Sequence, residues 1–242
     1  MSPIARSIVA IVPALNEEDS IAHVVLSLRR AGIACVRVVD NGSTDRTAEI
    51  ARDAGAEVLN EPQRGYGAAC WRGLTHLPGE ADWILFCDAD GSDDLERLPD
   101  LIRCAKNRDF VLCAREPSQE GKSGVTFAQR LGNEIATRCI AWGWGYRYRD
   151  MGPFRLIRRS SLEQIGMEDR TWGWTLEMQV RAVEERLRIA EIPVRSLPRS
   201  AGHSKIGGSL VGGIRAGSRI IATLVKLYWR RGHTRAGIRP AE

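Results

Sequence analysis

Short apolar runs alternate with stretches of helical periodicity along the first half of the chain. Ser7–Val12 reads as a strand that stops at Pro13. A helix follows from about Glu17, with Ile21, Val24, Val25 and Leu28 on one face. Val36–Val39 reads as a second strand ending at Asp40, and Thr44–Ala54 as a second helix capped by Ser43 or Thr44. A third strand is predicted at Glu57–Asn60, a third helix at Tyr66–Leu77, and a fourth strand at Trp83–Cys87, running into Asp88. Strands separated by helices of this length imply βαβ units and a mostly parallel sheet. Beyond Asp109 the pattern predicts strands at Phe110–Ala114, Phe154–Ile157 and Arg188–Pro193, with helices at Phe127–Ala141 and Leu176–Glu185. The expected fold class is α/β, a mostly parallel central sheet flanked by helices. No internal repeat is visible, and no Pro- or Gly-rich linker precedes residue 195. One domain is therefore expected over residues 1–205, followed by a tail over 206–242.

In an open α/β sheet, ligands bind beyond the carboxyl ends of the strands. Three of the first four predicted strands end in polar clusters: Asn16-Glu17, Asp40-Asn41 and Asp88-Ala89-Asp90. Asp and Asn also suit ordinary turns and helix caps; it is the convergence of three such clusters on one edge that favours a ligand site. Asp88 and Asp90, one small residue apart at the end of an apolar strand, can hold a hard divalent cation, Mg²⁺ or Mn²⁺. Asp93 and Asp94 add negative charge beside them. The turn Gln63-Arg64-Gly65-Tyr66-Gly67 opens a predicted helix, where backbone N–H groups can meet an anion. It lacks both the Gly-Lys-Ser/Thr ending of a P-loop and the G-x-G-x-x-G fingerprint, and by itself it reads more often as a capping turn.

Charge changes the picture at one end only. Residues 195–242 hold ten Lys/Arg and one acidic residue, Glu242, a net charge of +9. The whole chain carries +5, so the first 194 residues sum to −4. Within the tail, residues 209–231 show helical periodicity. Arg215, Arg219, Lys226 and Arg230 fall on one side, and Leu210, Ile214, Ile221, Leu224, Val225 and Tyr228 on the other. A basic face opposite an apolar one suits the surface of an anionic membrane, and equally a helix packed on its own domain or on a second subunit. Glycines at 207, 208, 212, 213 and 217 weaken that helix in isolation. No stretch reaches 18 uninterrupted apolar residues, so no spanning helix is expected. The N-terminus lacks the apolar core of a signal peptide. The six cysteines have no C-x-x-C spacing and read as small buried thiols of a reducing cytoplasm. No nucleic-acid-binding motif is present.

Three segments carry a resemblance. Ile11-Val-Pro-Ala-Leu-Asn-Glu17, Val38-Val-Asp-Asn-Gly-Ser-Thr-Asp-Arg-Thr47 and Phe86-Cys-Asp-Ala-Asp90 resemble the signature segments of family-2 glycosyltransferases of GT-A fold. Three more are similar to the polyprenyl-phosphate (dolichol-phosphate) mannosyltransferase branch: Asp150-Met-Gly-Pro-Phe-Arg155, Leu176-Glu-Met-Gln-Val-Arg-Ala182 and Gly202-His-Ser-Lys-Ile206. The resemblance implies an inverting transferase that takes a hexose from a UDP- or GDP-sugar to a lipid-linked phosphate at the cytoplasmic face of a membrane. It implies that Pro13, Ala14 and Glu17 line the nucleoside pocket, that Asp40 meets the base or ribose, and that Asp88 and Asp90 hold the metal. Asn41, Arg64, Gly65 and Ala89 complete the donor set. Arg115 and Arg130 would face phosphates, the acceptor's included. Arg199, Ser204 and Lys205 would come from a loop that closes over the donor, since Arg and Lys suit phosphate and closure excludes water.

The chain departs from that branch near the expected sugar and acceptor sites. Leu15 stands where the branch carries an aromatic, His203 where it has Glu, and Pro153 where it has Ser. The pairs Trp142/Trp144 and Trp172/Trp174 are outside its pattern. Glu177 lies on a predicted helix among Trp174, Leu176 and Met178, where a carboxylate can serve as general base; pairing with Arg181 one turn on is the structural alternative. A phosphate acceptor needs no base. A hydroxyl acceptor does, with Glu177, Asp93 or Asp94 supplying it. A nucleotide-diphosphate-binding module without transfer activity is the third reading, and a homo-oligomer is compatible with all three. Lys205→Ala should lower turnover more than donor affinity, because a late-closing loop contributes mainly to the transition state. Steady-state kinetics checks this, and normal turnover would remove the loop assignment.

Overall fold

β1 (Ile8–Ala14) is buried along nearly its whole length, as a strand covered on both faces must be. Val9 and Ile11 enter one apolar core, and Ile8, Ala10, Val12 and Ala14 the other, following the two-residue period of a strand. The computed structural model describes residues 3–116, 127–195, 197–198 and 222–229. β2 (Cys35–Asp40) and β4 (Trp83–Phe86) flank β1, both parallel to it, and β3 (Glu57–Asn60) adds outside β2. On the other side β6 (Arg155–Arg158) runs antiparallel to β4 and to β5 (Phe110–Glu116), and β7 (Ile189–Arg195) lies parallel to β5. The seven strands form one sheet in the order β3-β2-β1-β4-β6-β5-β7. All seven expected strands are present, and β6 is the one reversed.

Helices cover both faces. On the first lie α2 (Ile21–Arg30), α3 (Thr47–Asp53) and α5 (Leu98–Ala105), with Ile21, Val24, Val25 and Leu28 of α2 fully buried as the periodicity predicts. On the second lie α4 (Tyr66–Gly73), α6 (Phe127–Trp144) and α8 (Trp174–Glu184), joined by Leu224 and Leu227 of the helical segment 222–229. Three further helices were not expected: α1 (Pro3–Arg6), α5 and α7 (Arg159–Ile165), each two turns or fewer. Of the tail, only 222–229 is described. The boundary at 205/206 and the rest of the 209–231 helix lie outside the described residues.

The ends of the elements correct two expectations. Ser43 and Thr44 do not cap α3, which begins at Thr47. Asp45 Oδ1 accepts the N–H and hydroxyl of Thr47 instead, while Ser43 and Thr44 bond across to Asn16 on the loop after β1. α4 stops at Gly73, short of Leu77, because the buried Arg37 of β2 collects the carbonyls of Gly73, Thr75 and His76. Its Nε pairs with Glu57 at 2.8 Å. Gly73 rests directly on Ile11, where a Cβ would overlap Ile11 Cγ2. Gly73→Ala should therefore destabilise the fold by about 1–3 kcal/mol. Gly79→Ala, with nothing within 4 Å of the added carbon, should be near neutral in the same urea titration.

Candidate active site

The strand order places the topological switch between β1 and β4, where neighbouring connections leave in opposite directions and open a crevice at the carboxyl edge. Asp88-Ala89-Asp90 follows β4 at that point. The segment is fixed on both sides: Ser20, just before α2, donates its hydroxyl to the Ala89 carbonyl at 2.8 Å, and Asp90 Oδ1 accepts the Ser92 N–H at 2.9 Å. Asp90 is buried and Asp88 half-buried. Asp93 Oδ2 turns back to accept the Asp88 N–H at 2.8 Å. Burial, together with the charges of Asp88 and Asp90, pushes the Asp93 carboxyl well above the usual carboxylate range. Burial and Asp88 likewise push the Tyr66 hydroxyl up at the start of α4, which puts Tyr66 beside the same cluster. Sequence reasoning missed Tyr66 as a neighbour of Asp88; its place beside Gly65 in a turn at the edge was the available signal.

Asp40, at the end of β2, accepts the Ser43 N–H, and Glu17 accepts hydrogen bonds from Ser20. Pro13 and Ala14 end β1 on the same edge. Nearby residues serve the scaffold. Asn41 is buried; its amide N donates to the carbonyls of Glu61 and Gln63, and its Oδ1 accepts the Gly65 N–H. It ties the turn before α4 to the end of β2. The Gly65 N–H is thus spent on Asn41, and the Gly67 N–H goes to the Thr171 carbonyl at 2.9 Å. A Cβ at Gly67 would strike the backbone of Arg170 and Thr171. This turn packs against another loop, and two of its N–H groups are taken within the protein. Arg64 is exposed and donates to the Gly42 carbonyl at 3.0 Å.

Across the crevice, β6 enters the sheet antiparallel and brings the Asp150–Phe154 approach to the same edge. Arg115, near the end of β5, grips the buried Asp150 with Nε at 2.7 Å and Nη2 at 3.0 Å, and Asp150 also accepts the Arg115 N–H. Burial alone would lower the Arg115 pKa; the hydrogen bond and charge of Asp150 outweigh it and raise it. Arg115, expected to face phosphates, is thus paired with a carboxylate at this edge. Arg130 lies exposed on α6. Arg199, Ser204 and Lys205 fall outside the described residues.

Glu177 is held on both oxygens. Its Oε2 accepts the N–H groups of Glu168 and Asp169 at 3.0 and 2.6 Å, and its Oε1 accepts Arg181 Nε at 2.8 Å. Of the two roles left open by the sequence, the geometry is that of the ion pair, extended into a brace for the loop 168–171. Asp94 is buried and pairs with Arg195 at 3.4 Å. The cysteines are all free; Cys70, Cys87 and Cys113 are buried, and burial pushes their thiols up, which leaves them chemically quiet. Among the described residues no group of three or more His, Cys, Asp or Glu side chains is arranged to enclose a metal ion. The donor set at Asp88 and Asp90 still fits one: Mg²⁺ or Mn²⁺ takes hard oxygens, commonly one or two carboxylates completed by substrate phosphates. A cation there would also relieve the repulsion felt by Asp93.

Comparison with known proteins agrees with this geometry. The model of glycosyl transferase family 2 matches residues 9–166. An uncharacterized glycosyltransferase of Mycobacterium tuberculosis is 36% identical over 217 residues, spanning 87% of this chain and 94% of that protein. An undecaprenyl-phosphate mannosyltransferase of Micrococcus luteus is 27% identical over 225 residues, 85% of this chain and 89% of its own. Glucosyl-3-phosphoglycerate synthase from Mycobacterium tuberculosis, solved with Mn²⁺, UDP-glucose and phosphoglyceric acid, superposes with a TM-score of 0.74. That match covers 98% of this chain and 82% of the synthase at 21% identity, and establishes the GT-A fold.

The brace makes a prediction. Glu177→Ala removes the acceptor of the 168 and 169 N–H groups and one of the two carboxylates on Arg181, which keeps Glu168 at 3.1 Å, and should cost about 1–3 kcal/mol. Glu177→Gln keeps a carbonyl for the loop N–H groups, so it should fold and retain sugar transfer within about tenfold, because a general base contributes roughly 10²–10⁴. A folded Glu177→Gln variant whose transfer collapses, with one limb of the pH profile lost, would return Glu177 to catalysis.

Proposed function

The chain belongs to glycosyl transferase family 2, and we propose that it moves a hexose from a UDP- or GDP-sugar to the phosphate of a polyprenyl-type lipid. The observation that carries this acceptor class is the state of the residues a hydroxyl acceptor would need. Glu177 is committed to Arg181 and two backbone N–H groups, and Asp94 is buried against Arg195. A phosphate oxygen is already anionic and attacks without a base. The relative named an undecaprenyl-phosphate mannosyltransferase and the three branch-specific segments at 150–155, 176–182 and 202–206 support the same reading.

In this reading the nucleoside lies against Pro13, Ala14, Glu17 and Asp40, and the diphosphate extends toward Ala89, Asp88 and Asp90. Asp88 and Asp90 would hold Mg²⁺ or Mn²⁺, which when bound supplies positive charge to the donor diphosphate. An acceptor phosphate oxygen attacks the anomeric carbon from the face opposite the nucleotide. One C–O bond forms as the bond to the diphosphate breaks, so configuration inverts, and the electron pair leaves on the nucleoside diphosphate. Lys205, Ser204 and Arg199 close over that leaving group and exclude water; Arg130 orients the acceptor phosphate, with Arg115 adding charge through its shared pair with Asp150. The reaction runs at the cytoplasmic face of a membrane, where the +9 tail favours anionic lipid.

A soluble hydroxyl acceptor is the second reading, favoured by one observation. Asp93 sits beside Asp88 and Asp90, and burial with their charges raises its carboxyl above the usual carboxylate range, the direction that favours taking up a proton. Transfer assays with a panel of UDP- and GDP-hexoses, offering a short-chain polyprenyl phosphate or a three-carbon phosphate bearing a hydroxyl, separate the two. Product on the lipid phosphate alone is the expected result, and product on the hydroxyl alone would reverse the assignment. In the same panel Asp88→Ala and Asp90→Ala should each abolish the Mn²⁺-dependent rise in melting temperature with donor while leaving the metal-free melting temperature within a few degrees. Unchanged Mn²⁺ dependence in both would remove the metal site.

A further inference from the structure

Of the eight large apolar side chains that stand exposed among the described residues, six belong to two neighbouring helical elements. Leu131, Ile135 and Trp142 lie on α6; Val225, Tyr228 and Trp229 lie on the segment 222–229. Leu131, Ile135 and Trp142 stand at i, i+4 and i+11 and so share one face of α6, with the exposed Arg138 at i+7 completing the stripe. The two elements present one continuous surface. The Trp142 and Tyr228 rings stack with centroids 6.2 Å apart and planes parallel, and Trp144 meets Tyr228 edge-on at 6.2 Å. Trp142 is 85% exposed and Trp229 68%, a degree of indole exposure that marks an interaction surface.

We propose that the α6 stripe and the outer face of 222–229 together form a docking surface for an anionic lipid bilayer, seated at headgroup depth. The inference rests on the lipid-acceptor reading and extends it, because it assigns membrane contact to a helix of the catalytic domain itself. Three features select lipid over a protein partner. Trp and Tyr pair a flat apolar body with a polar edge, the chemistry that settles at the membrane–water boundary. Arg138 and Arg147 share the single carboxylate of Glu134, so basic charge remains in excess beside the stripe. The chain from residue 195 onward adds ten basic residues against one acidic, which suits anionic headgroups and would repel the tail of a second copy docked face to face. No described helix is long and apolar enough to cross a membrane, so the contact is with its surface. Arg130, the expected acceptor-phosphate ligand, is exposed on α6 next to Leu131, at the margin of that surface.

The full chain should be mixed with vesicles of phosphatidylcholine alone, and with vesicles of equal parts phosphatidylcholine and phosphatidylglycerol, neither containing a polyprenyl lipid. Expected is co-sedimentation with the anionic vesicles, with indole emission shifted to shorter wavelength and binding weakened by salt. Replacing both indoles, Trp142→Ser with Trp229→Ser, should lower the partition coefficient roughly tenfold or more. Leu131→Gln with Ile135→Gln should lower it without removing a fluorophore. Leu26→Gln, an exposed apolar position on α2 outside the surface, should bind like the parent. Donor-induced thermal stabilisation, retained in every variant, verifies the fold. A parent chain that ignores anionic vesicles, or indole variants that bind them unchanged, overturns the proposal. So does a parent dimer that the same substitutions convert to monomer. Vesicle binding without transfer to lipid phosphate would sink the acceptor assignment and leave the docking surface standing.

Discussion

Four carboxylates fall within the seven residues that follow Cys87, and their mutual repulsion is the constraint around which the site edge is arranged. In a partly buried setting each close pair of like charges costs on the order of a few kcal/mol, so they cannot all stand ionised and unshared. The fold disperses them. Asp94 turns away to Arg195, Asp90 accepts the Ser92 N–H, and Asp93 is left with a raised pKa and the Asp88 N–H as partner. Asp88 and Asp90 stand at the switch between β1 and β4, where their hard oxygens could hold a cation together with a diphosphate. The opposite wall avoids adding to the problem, because Asp150 is neutralised by Arg115 before it reaches the edge.

A second constraint is mechanical. The loop 168–171 is held from three directions. Glu177 takes the N–H groups of residues 168 and 169; Asp169 Oδ1 accepts the N–H and hydroxyl of Thr171; and Arg170 lies over the Trp71 ring at 4.9 Å. The Thr171 carbonyl then takes the Gly67 N–H, fixing the start of α4 where Tyr66 stands beside Asp88. The same loop receives the segment 222–229, through Thr223 on Asp169 at 3.4 Å and Lys226 on Glu168 at 3.6 Å. One short loop thus joins the edge that holds the carboxylates to the element that carries the exposed aromatics.

The fold was legible where apolar runs are long enough to impose a period. All seven strands and the main helices could be read from spacing alone, because a strand covered on both faces has almost no freedom to be anything else. α1, α5 and α7 could not: four to eight residues give too few turns for a 3.6-residue period to show. At the edge, the sequence reading put Asp88 and Asp90 at the end of an apolar strand, and they do follow β4 there. It did not foresee the bonds that Asn41, Gly65 and Arg115 make to distant residues, Arg115 to Asp150 being 35 residues apart, whereas the Glu177–Arg181 pair, one helical turn apart, was open to it. A polar side chain that braces a loop has the same letter as one that binds a ligand.

The tail shows the same ambiguity resolved differently. Six apolar residues spread over roughly 100° of a helix surface are more than one contact requires, and membrane adsorption and packing on the domain both fitted the pattern. Over 222–229 the arc divides. Leu224 and Leu227 are buried in the core of the second face, whereas Val225, Tyr228 and Trp229 point outward beside the α6 stripe. Packing fixes the orientation of the outward side chains, and the stack of Tyr228 on Trp142 fixes their register against α6. A helix that only packed would have no use for exposed aromatics, and one that only adsorbed would have no reason to bury Leu227. If the proposed docking surface holds, the domain would contribute a rigid half of it, so the segment would not need to order itself on contact and little conformational entropy would be lost there.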